Sequence, residues 1–209
     1  MKKKIGETSF KETAFGIIPR SKLIPLELEI EGTKRAWDFV MERFKADKIG
    51  LTPDFILRAH KIGFGWIFPA MAGRFRKIDV VVSKHAPPKY YLVDQLMLDF
   101  TRNLKTRLRY LPEIENQKFI DELTTLLTWA HHRFLWIHPF ADYNGRIGRL
   151  LNNMILLNLN LPPIELKVET KIGRKKYIAA LAEADNGEYG ELEKIIRSAI
   201  EESIKEIKK

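Results

Sequence analysis

The 209-residue chain has no cysteine. It therefore has no disulfide, no thiolate nucleophile and no Cys-ligated metal centre, and its stability rests on packing and polar contacts. Long apolar runs are missing too. No stretch reaches the roughly 18–20 uncharged apolar residues that cross a bilayer as a helix. The basic start, Met1 to Lys4, is followed by Ile5-Gly6-Glu7-Thr8 rather than by an apolar signal-peptide core. The expectation is a cytoplasmic protein with no membrane partner. Strand-forming runs are scarce, the single strongly β-favouring one being Ile78-Asp79-Val80-Val81-Val82. Neither an internal repeat nor a low-complexity segment is visible.

What is present fits one compact domain, since 45% of the residues are hydrophobic. The formal net charge is +9. Such a balance suits nucleic acid, an acidic protein or a polyphosphate equally well. Much of it lies in Lys2 to Lys4 and in Lys205, Lys208 and Lys209 at the chain ends, where charge speaks to solubility rather than to a site. No helix carries base-reading polar residues along one exposed face, so nucleic acid is not the favoured partner.

Periodicity makes most of the chain helical. Residues 1 to about 25, interrupted by Pro19 and Pro25, read as an arm packed on the domain. Leu26 to Phe44 carries Leu28, Ile30, Trp37, Val40, Met41 and Phe44 at helical spacing. Thr52-Pro53 reads as an N-cap followed by a first-turn proline, with Phe55, Ile56, Ala59, Ile62 and Gly63 on the buried side. Gly63 to Pro69 reads as an irregular aromatic turn. Ile78 to Val82 and Tyr90 to Val93 are expected to pair as a hairpin. Further helices are expected over Leu92–Arg109, Asn116–Ile137, Leu150–Leu159, Arg174–Glu183 and Tyr189–Glu206.

Between two of these apolar helices runs His138-Pro-Phe-Ala-Asp-Tyr-Asn-Gly-Arg-Ile-Gly-Arg149. So dense a cluster of His, Asp, Asn, Gly and Arg is poor core material and good site material. Asn144 and Gly145 fall where the second helix begins, so its unpaired N–H groups and the positive end of its dipole favour an anion there. Arg146 and Arg149, three positions apart, share one side of the first turn and suit phosphate oxygens. Asp142 is a hard oxygen ligand suited to a Mg²⁺ that keeps phosphates and waters as its other ligands. His138 is the one group here that titrates near neutrality, and it suits a general base toward a hydroxyl. Phe140 reads as an apolar anchor. His131 and His132, an adjacent pair without further ligands at metal-binding spacing, are assigned packing roles.

This stretch resembles the signature of the Fic (Fic/Doc) family, His-x-Phe-x-Asp/Glu-Gly-Asn-Gly-Arg-x-x-Arg. Ala72-Gly73-Arg74-Phe75-Arg76 resembles the segment that precedes the family's flap hairpin. Arg174 to Leu181, followed by Ala184 and Asn186 to Tyr189, resembles its C-terminal pattern. The similarity covers roughly residues 55 to 197. It implies an all-α fold, a Fic-type helical bundle with one short β-hairpin as flap, divided into a candidate inhibitory arm and helix over 1–50 and the Fic domain over 51–209. It further implies transfer of AMP from Mg²⁺·ATP to a Ser, Thr or Tyr hydroxyl of a target protein, or of the chain itself. His138, Asn144 and Arg146 would be catalytic. Tyr143, Asn144, Gly145, Arg146, Arg149 and Tyr177 would hold the nucleotide, Asp142 the metal, and Val80, Val81 and Val82 the target. The Doc branch, which phosphorylates, carries lysine where this chain has Gly145, so the resemblance favours AMP transfer.

Tyr143 departs from the pattern, standing where the family has glycine. A glycine there allows positive φ, which tyrosine tolerates badly, so the loop backbone is either ordinary at 143 or altered. The family also silences itself through a glutamate in a Ser/Thr-x-x-x-Glu-Gly/Asn helix that pairs with the residue matching Arg149. Ile30-Glu31-Gly32 fits its second half, with Glu27 in place of Ser/Thr, which makes Glu31 the regulatory candidate. Ser198 and Glu202 fit less well, because Ser203 follows. Three alternatives stay open: removal of AMP or another Fic-type phosphotransfer; a Fic fold kept only to bind protein; and a non-catalytic basic adaptor for nucleic acid.

Overall fold

The computed structural model describes residues 10–13, 16–19, 26–46, 49–82 and 85–207. Its helices are α1 (Leu26–Ala46), α2 (Pro53–Phe64), α3 (Val93–Arg109), α4 (Phe119–Ile137), α5 (Asn144–Asn158), α6 (Lys171–Ala184) and α7 (Gly190–Ile207). The all-α expectation holds. None of the described helices is long and apolar enough to cross a membrane.

The bundle is organised around α4. Leu123, Leu127, Ala130, His131, Phe134 and Ile137 are fully buried along it. It packs against α3, α5 and α7, while α1 lies against α2 and α5. The arrangement sets the loop after α4 between two helices, α4 and α5, that are both locked by core contacts. α2 starts as its sequence dictates, with Pro53 in the first turn and Thr52 Oγ1 accepting the Phe55 N–H at 3.2 Å. Its buried side differs from expectation at two positions. Ile62 is exposed, and His60 takes a buried place.

α1 and α2 cross very closely. A Cβ built on Gly32 would stand 2.7 Å from the Gly63 carbonyl oxygen, and one on Gly63 would stand 2.8 Å from that of Gly32. Contact this tight needs glycine on both sides, and it fixes which face of α1 looks inward: Gly32, Ala36, Phe39 and Val40 are its buried residues.

The strand expectations need two corrections. The arm expected over residues 1–25 lies mostly outside the described residues. Its described parts, β1 (Phe10–Thr13) and β2 (Gly16–Pro19), pair antiparallel with Lys11 opposite Ile18 and Glu12 opposite Ile17. Pro19 sits in the terminal pair, where a missing N–H costs least. The hairpin expected between Val80–Val82 and Tyr90–Val93 does not form. The β pairing there is one bridge, Val82 to His85, and Tyr90–Leu92 is a 3₁₀ turn leading into α3. Pro87 and Pro88 have no N–H for a ladder. Asp79 Oδ1 instead accepts the Tyr90 N–H at 3.0 Å and so caps the turn.

Candidate active site

α4 stops at His138. This residue adopts a left-handed conformation (φ 49°, ψ 60°), and its N–H donates to the Phe134 carbonyl at 3.1 Å. The chain turns sharply there, and Phe140 drops into the core, fully buried. Asn144, only 2% exposed, then ties the loop shut. Its Oδ1 accepts the Phe140 N–H and its Nδ2 donates to the Phe140 carbonyl, both at 2.9 Å. The Asn144 carboxamide is therefore taken up by loop closure. What Asn144 offers an anion is its backbone N–H at the start of α5, beside that of Gly145.

Two residues from earlier elements complete the frame, and neither was identified as a site residue in the sequence. His60 of α2 stacks on Phe140 with centroids 3.8 Å apart and planes 10° apart. Its Nδ1 accepts the Gly73 N–H at 3.0 Å, so Nε2 carries the proton and donates to the Asp142 carbonyl at 3.2 Å. Burial holds its pKa down at about 4, which keeps it neutral. Arg76 is 3% exposed and gathers carbonyls from three segments. Its guanidinium donates to His138 (2.8 Å), Ile137 (3.3 Å), Ile78 (2.9 Å) and Pro88, and its backbone N–H donates to Pro139 at 2.9 Å. A positive group at the C-terminal end of α4 also complements the helix dipole. Arg76→Ala would leave these carbonyls buried and unpaired. The expected cost is about 3–5 kcal/mol, read as a fall in the chemical-denaturation midpoint. A loss under about 1 kcal/mol would contradict this role.

Tyr143 resolves the question raised by its departure from glycine. Its backbone is left-handed (φ 61°, ψ 15°), so the turn is retained with tyrosine in it. The side chain repays part of that strain. It is buried, its ring lies 4.0 Å from that of Phe64 with planes 3° apart, and Phe68 flanks it. Tyr143 acts as a wedge between loop and α2.

His138 is half-buried, and burial is the main reason its pKa falls to about 4, reinforced by the nearby Arg76 charge and opposed by Asp142. It is thus neutral at pH 7 and able to accept a proton. Asp142, partly exposed, accepts the Tyr143 N–H on Oδ1 at 2.8 Å. It is the loop's one carboxylate.

The two arginines have different surroundings. Arg146 Nη2 pairs with Glu29 Oε2 of α1, both side chains being largely shielded from water. Glu31, the expected regulatory residue, is exposed and pairs with Arg35 one turn along its own helix at 2.8 Å. The carboxylate that enters the site is Glu29. Arg149 lies over Gly145, where a Cβ would stand 3.6 Å from its Nη1. Tyr177, expected against the nucleotide, is buried with its hydroxyl 2.6 Å from His131 Nε2.

The segment that would dock a target is tethered to the same loop. Val80 is buried, Val81 is exposed and Val82 forms the bridge to His85. His85 Nε2 donates to the Trp136 carbonyl at 3.1 Å, and Nδ1 lies 3.6 Å from the Asp185 carboxylate. A base, one carboxylate, a helix start and two arginines thus converge. That set can bind a polyphosphate and activate a hydroxyl.

Known proteins resemble this chain in sequence and fold. A model of the Fic/DOC family matches residues 50–156, a span that holds His60, Arg76 and the whole loop. A protein adenylyltransferase Fic of Nematostella vectensis is 31% identical over 160 residues, which is 77% of this chain and 35% of that protein. Another, of Aedes aegypti, is 28% identical over 176 residues, covering 84% of this chain and 33% of its own length. The solved structure of a C. elegans Fic-1 fragment superposes with a TM-score of 0.69 at 27% identity, covering 90% of this chain and 54% of that one. The chain spans about a third of the length of the curated relatives it matches.

Proposed function

Because the chain belongs to the Fic/DOC family, we propose that it transfers AMP from Mg²⁺·ATP to a Ser, Thr or Tyr hydroxyl of a protein, releasing pyrophosphate. The observation that carries this reading is His138, held neutral at the end of α4 beside the N-terminus of α5 and two arginines. The phosphates lie on the Asn144 and Gly145 N–H groups. His138 takes the proton of the hydroxyl as its oxygen attacks the α-phosphorus. Arg146 faces charge developing on the transferred and leaving oxygens, and Arg149 grips the outermost phosphate.

The donor set fits the metal that accompanies such a nucleotide. Among the described residues no group of three or more His, Cys, Asp or Glu side chains could hold an ion unaided. A single carboxylate, Asp142, beside phosphates and water is the coordination Mg²⁺ accepts. The ion, when bound, neutralises phosphate charge. Target recognition falls to Val80, Val81 and Val82, whose segment can pair with an extended peptide that presents its hydroxyl to His138. The pair Glu29–Arg146 makes α1 a brake, with Glu29 occupying a phosphate-binding arginine in place of the anion.

Label transfer tests the reaction. Incubation with α-labelled ATP, with candidate target proteins present, labels protein through His138, whereas γ-labelled ATP leaves it unlabelled. Label from the γ position alone would make the chain a kinase.

The pH profile follows from His138. Its imidazolium is disfavoured in the folded protein, so with a pKa of about 4 the base is already deprotonated at pH 6. The rate is expected to be level between about pH 6 and 8 on this account and to fall only below about pH 5. A limb near 6.5 would show His138 titrating like a solvent-exposed imidazole.

A further inference from the structure

The reaction proposed above leaves two buried polar groups without a purpose. His131 of α4 is fully buried and Tyr177 of α6 is 7% exposed. α4 and α5 approach closely beside them. A Cβ on Gly148 would stand 3.3 Å from Leu135 Cδ2 and 3.5 Å from His131 Cε1. This approach brings His131 Nδ1 to 3.2 Å from the Gly148 carbonyl oxygen. A carbonyl only accepts, so Nδ1 carries the ring proton, and Nε2 is left as an acceptor. The group facing Nε2, at 2.6 Å, is the Tyr177 hydroxyl, which must therefore donate. Its oxygen lone pairs remain for a donor, and the side chain that reaches them is the Arg149 guanidinium. The two hydrogen bonds of His131 thus have only one possible direction, from Tyr177 through His131 to the Gly148 carbonyl, with Arg149 beside the hydroxyl end.

We infer that His131 and Tyr177 form a buried, one-way hydrogen-bond relay that positions Arg149 over the start of α5 as the grip for the terminal phosphate of a nucleoside triphosphate. The inference rests on the nucleotide reading of the loop. Two placements support it. Arg149 stays partly exposed although its partners are buried, and Nη1 lies beside Gly145, whose N–H is one of the free donors of the helix start. Packing alone would be served by an apolar pair of the same volume without the cost of burying polar atoms. His131 cannot reverse the relay by taking a second proton, because burial pushes its pKa down to about 3. Tyr177 and His131 are positioning residues, acting on the phosphates through Arg149.

Calorimetry with Mg²⁺·ATP and with AMP separates positioning from packing. Tyr177→Phe is expected to weaken ATP binding about tenfold, as for loss of a hydrogen bond to a charged group, and to leave AMP binding unchanged. In an Arg149→Ala background the same change should cost ATP nothing further. Equal losses for ATP and AMP, or full additivity with Arg149→Ala, would overturn the relay. If Tyr177→Phe alone fails to fold, His131→Leu with Tyr177→Phe removes the relay without leaving an unpaired ring nitrogen, and is read the same way. Nitrogen-15 spectra of labelled histidine give an independent check. The relay requires the Nδ1–H tautomer of His131 at pH 6, and an Nε2–H ring or an imidazolium would overturn it. No ATP binding by the parent, with the Nδ1–H tautomer present, would overturn the nucleotide reading, and the positioning role with it.

Discussion

His138→Asn is expected to reduce AMP transfer by about 10²–10⁴-fold, the usual contribution of a general base, while ATP still binds. Asparagine is the informative substitution because the position is left-handed, with φ 49°. Asparagine tolerates that conformation, whereas alanine would add roughly 1 kcal/mol of backbone strain and confuse lost chemistry with lost folding. The contacts that fix the loop here are backbone ones, to Arg76 and Phe134, and they survive the change. Unchanged thermal stability, unchanged ATP affinity and loss of transfer together would place His138 in the chemical step. Retained transfer would assign the proton to another group and remove the basis of the mechanism.

Glu29→Ala is expected to raise transfer by roughly tenfold or more, on the order of the coupling of a partly desolvated ion pair. Alanine keeps the helix, so α1 should remain seated on α2 through Gly32 and Gly63. The change removes only the carboxylate that occupies Arg146. Glu31→Ala is the matched control, since it breaks only an exposed, solvent-screened pair with Arg35 and leaves Arg146 covered. Activation by Glu31→Ala and not by Glu29→Ala would reverse the assignment.

The choice between those two glutamates shows where sequence reasoning stops. Ile30-Glu31-Gly32 reads as the second half of the inhibitory pattern, which makes Glu31 the regulatory candidate. Gly32 has to face Gly63, however, and a residue one position away points about 100° round the helix. A residue three positions away shares the face. Glu29 therefore reaches the loop and Glu31 does not. The motif His138–Arg149 was legible because its groups are contiguous and their spacing alone brings them together. His60 and Arg76 were not identified because they act on the loop across 82 and 62 residues of chain, through contacts that no periodicity encodes.

The helices were legible for the same reason as the motif: apolar spacing and the Thr52-Pro53 start are local signals. The flap was misread for a physical reason. The β propensity of Ile78–Val82 is real, but Pro87 and Pro88 lie where a returning strand would begin, and Asp79 captures the Tyr90 N–H first. Tyr143 shows the limit of a backbone rule. A left-handed tyrosine is costly in isolation, and here the face-to-face packing on Phe64 offsets the cost. Tyr177 reads from the sequence as a nucleotide-lining or core residue, and its contact with His131 was not legible because His131 belongs to a helix face that looked purely structural.

The central claim is that His138 drives AMP transfer at a site that Glu29 holds in check. Intact-protein mass after incubation of Glu29→Ala with Mg²⁺·ATP and a candidate target, or alone for self-modification, tests it most directly. The account predicts a gain of one AMP that disappears when His138→Asn is added. A gain that persists without His138, or a gain of one phosphate instead of one AMP, would contradict it.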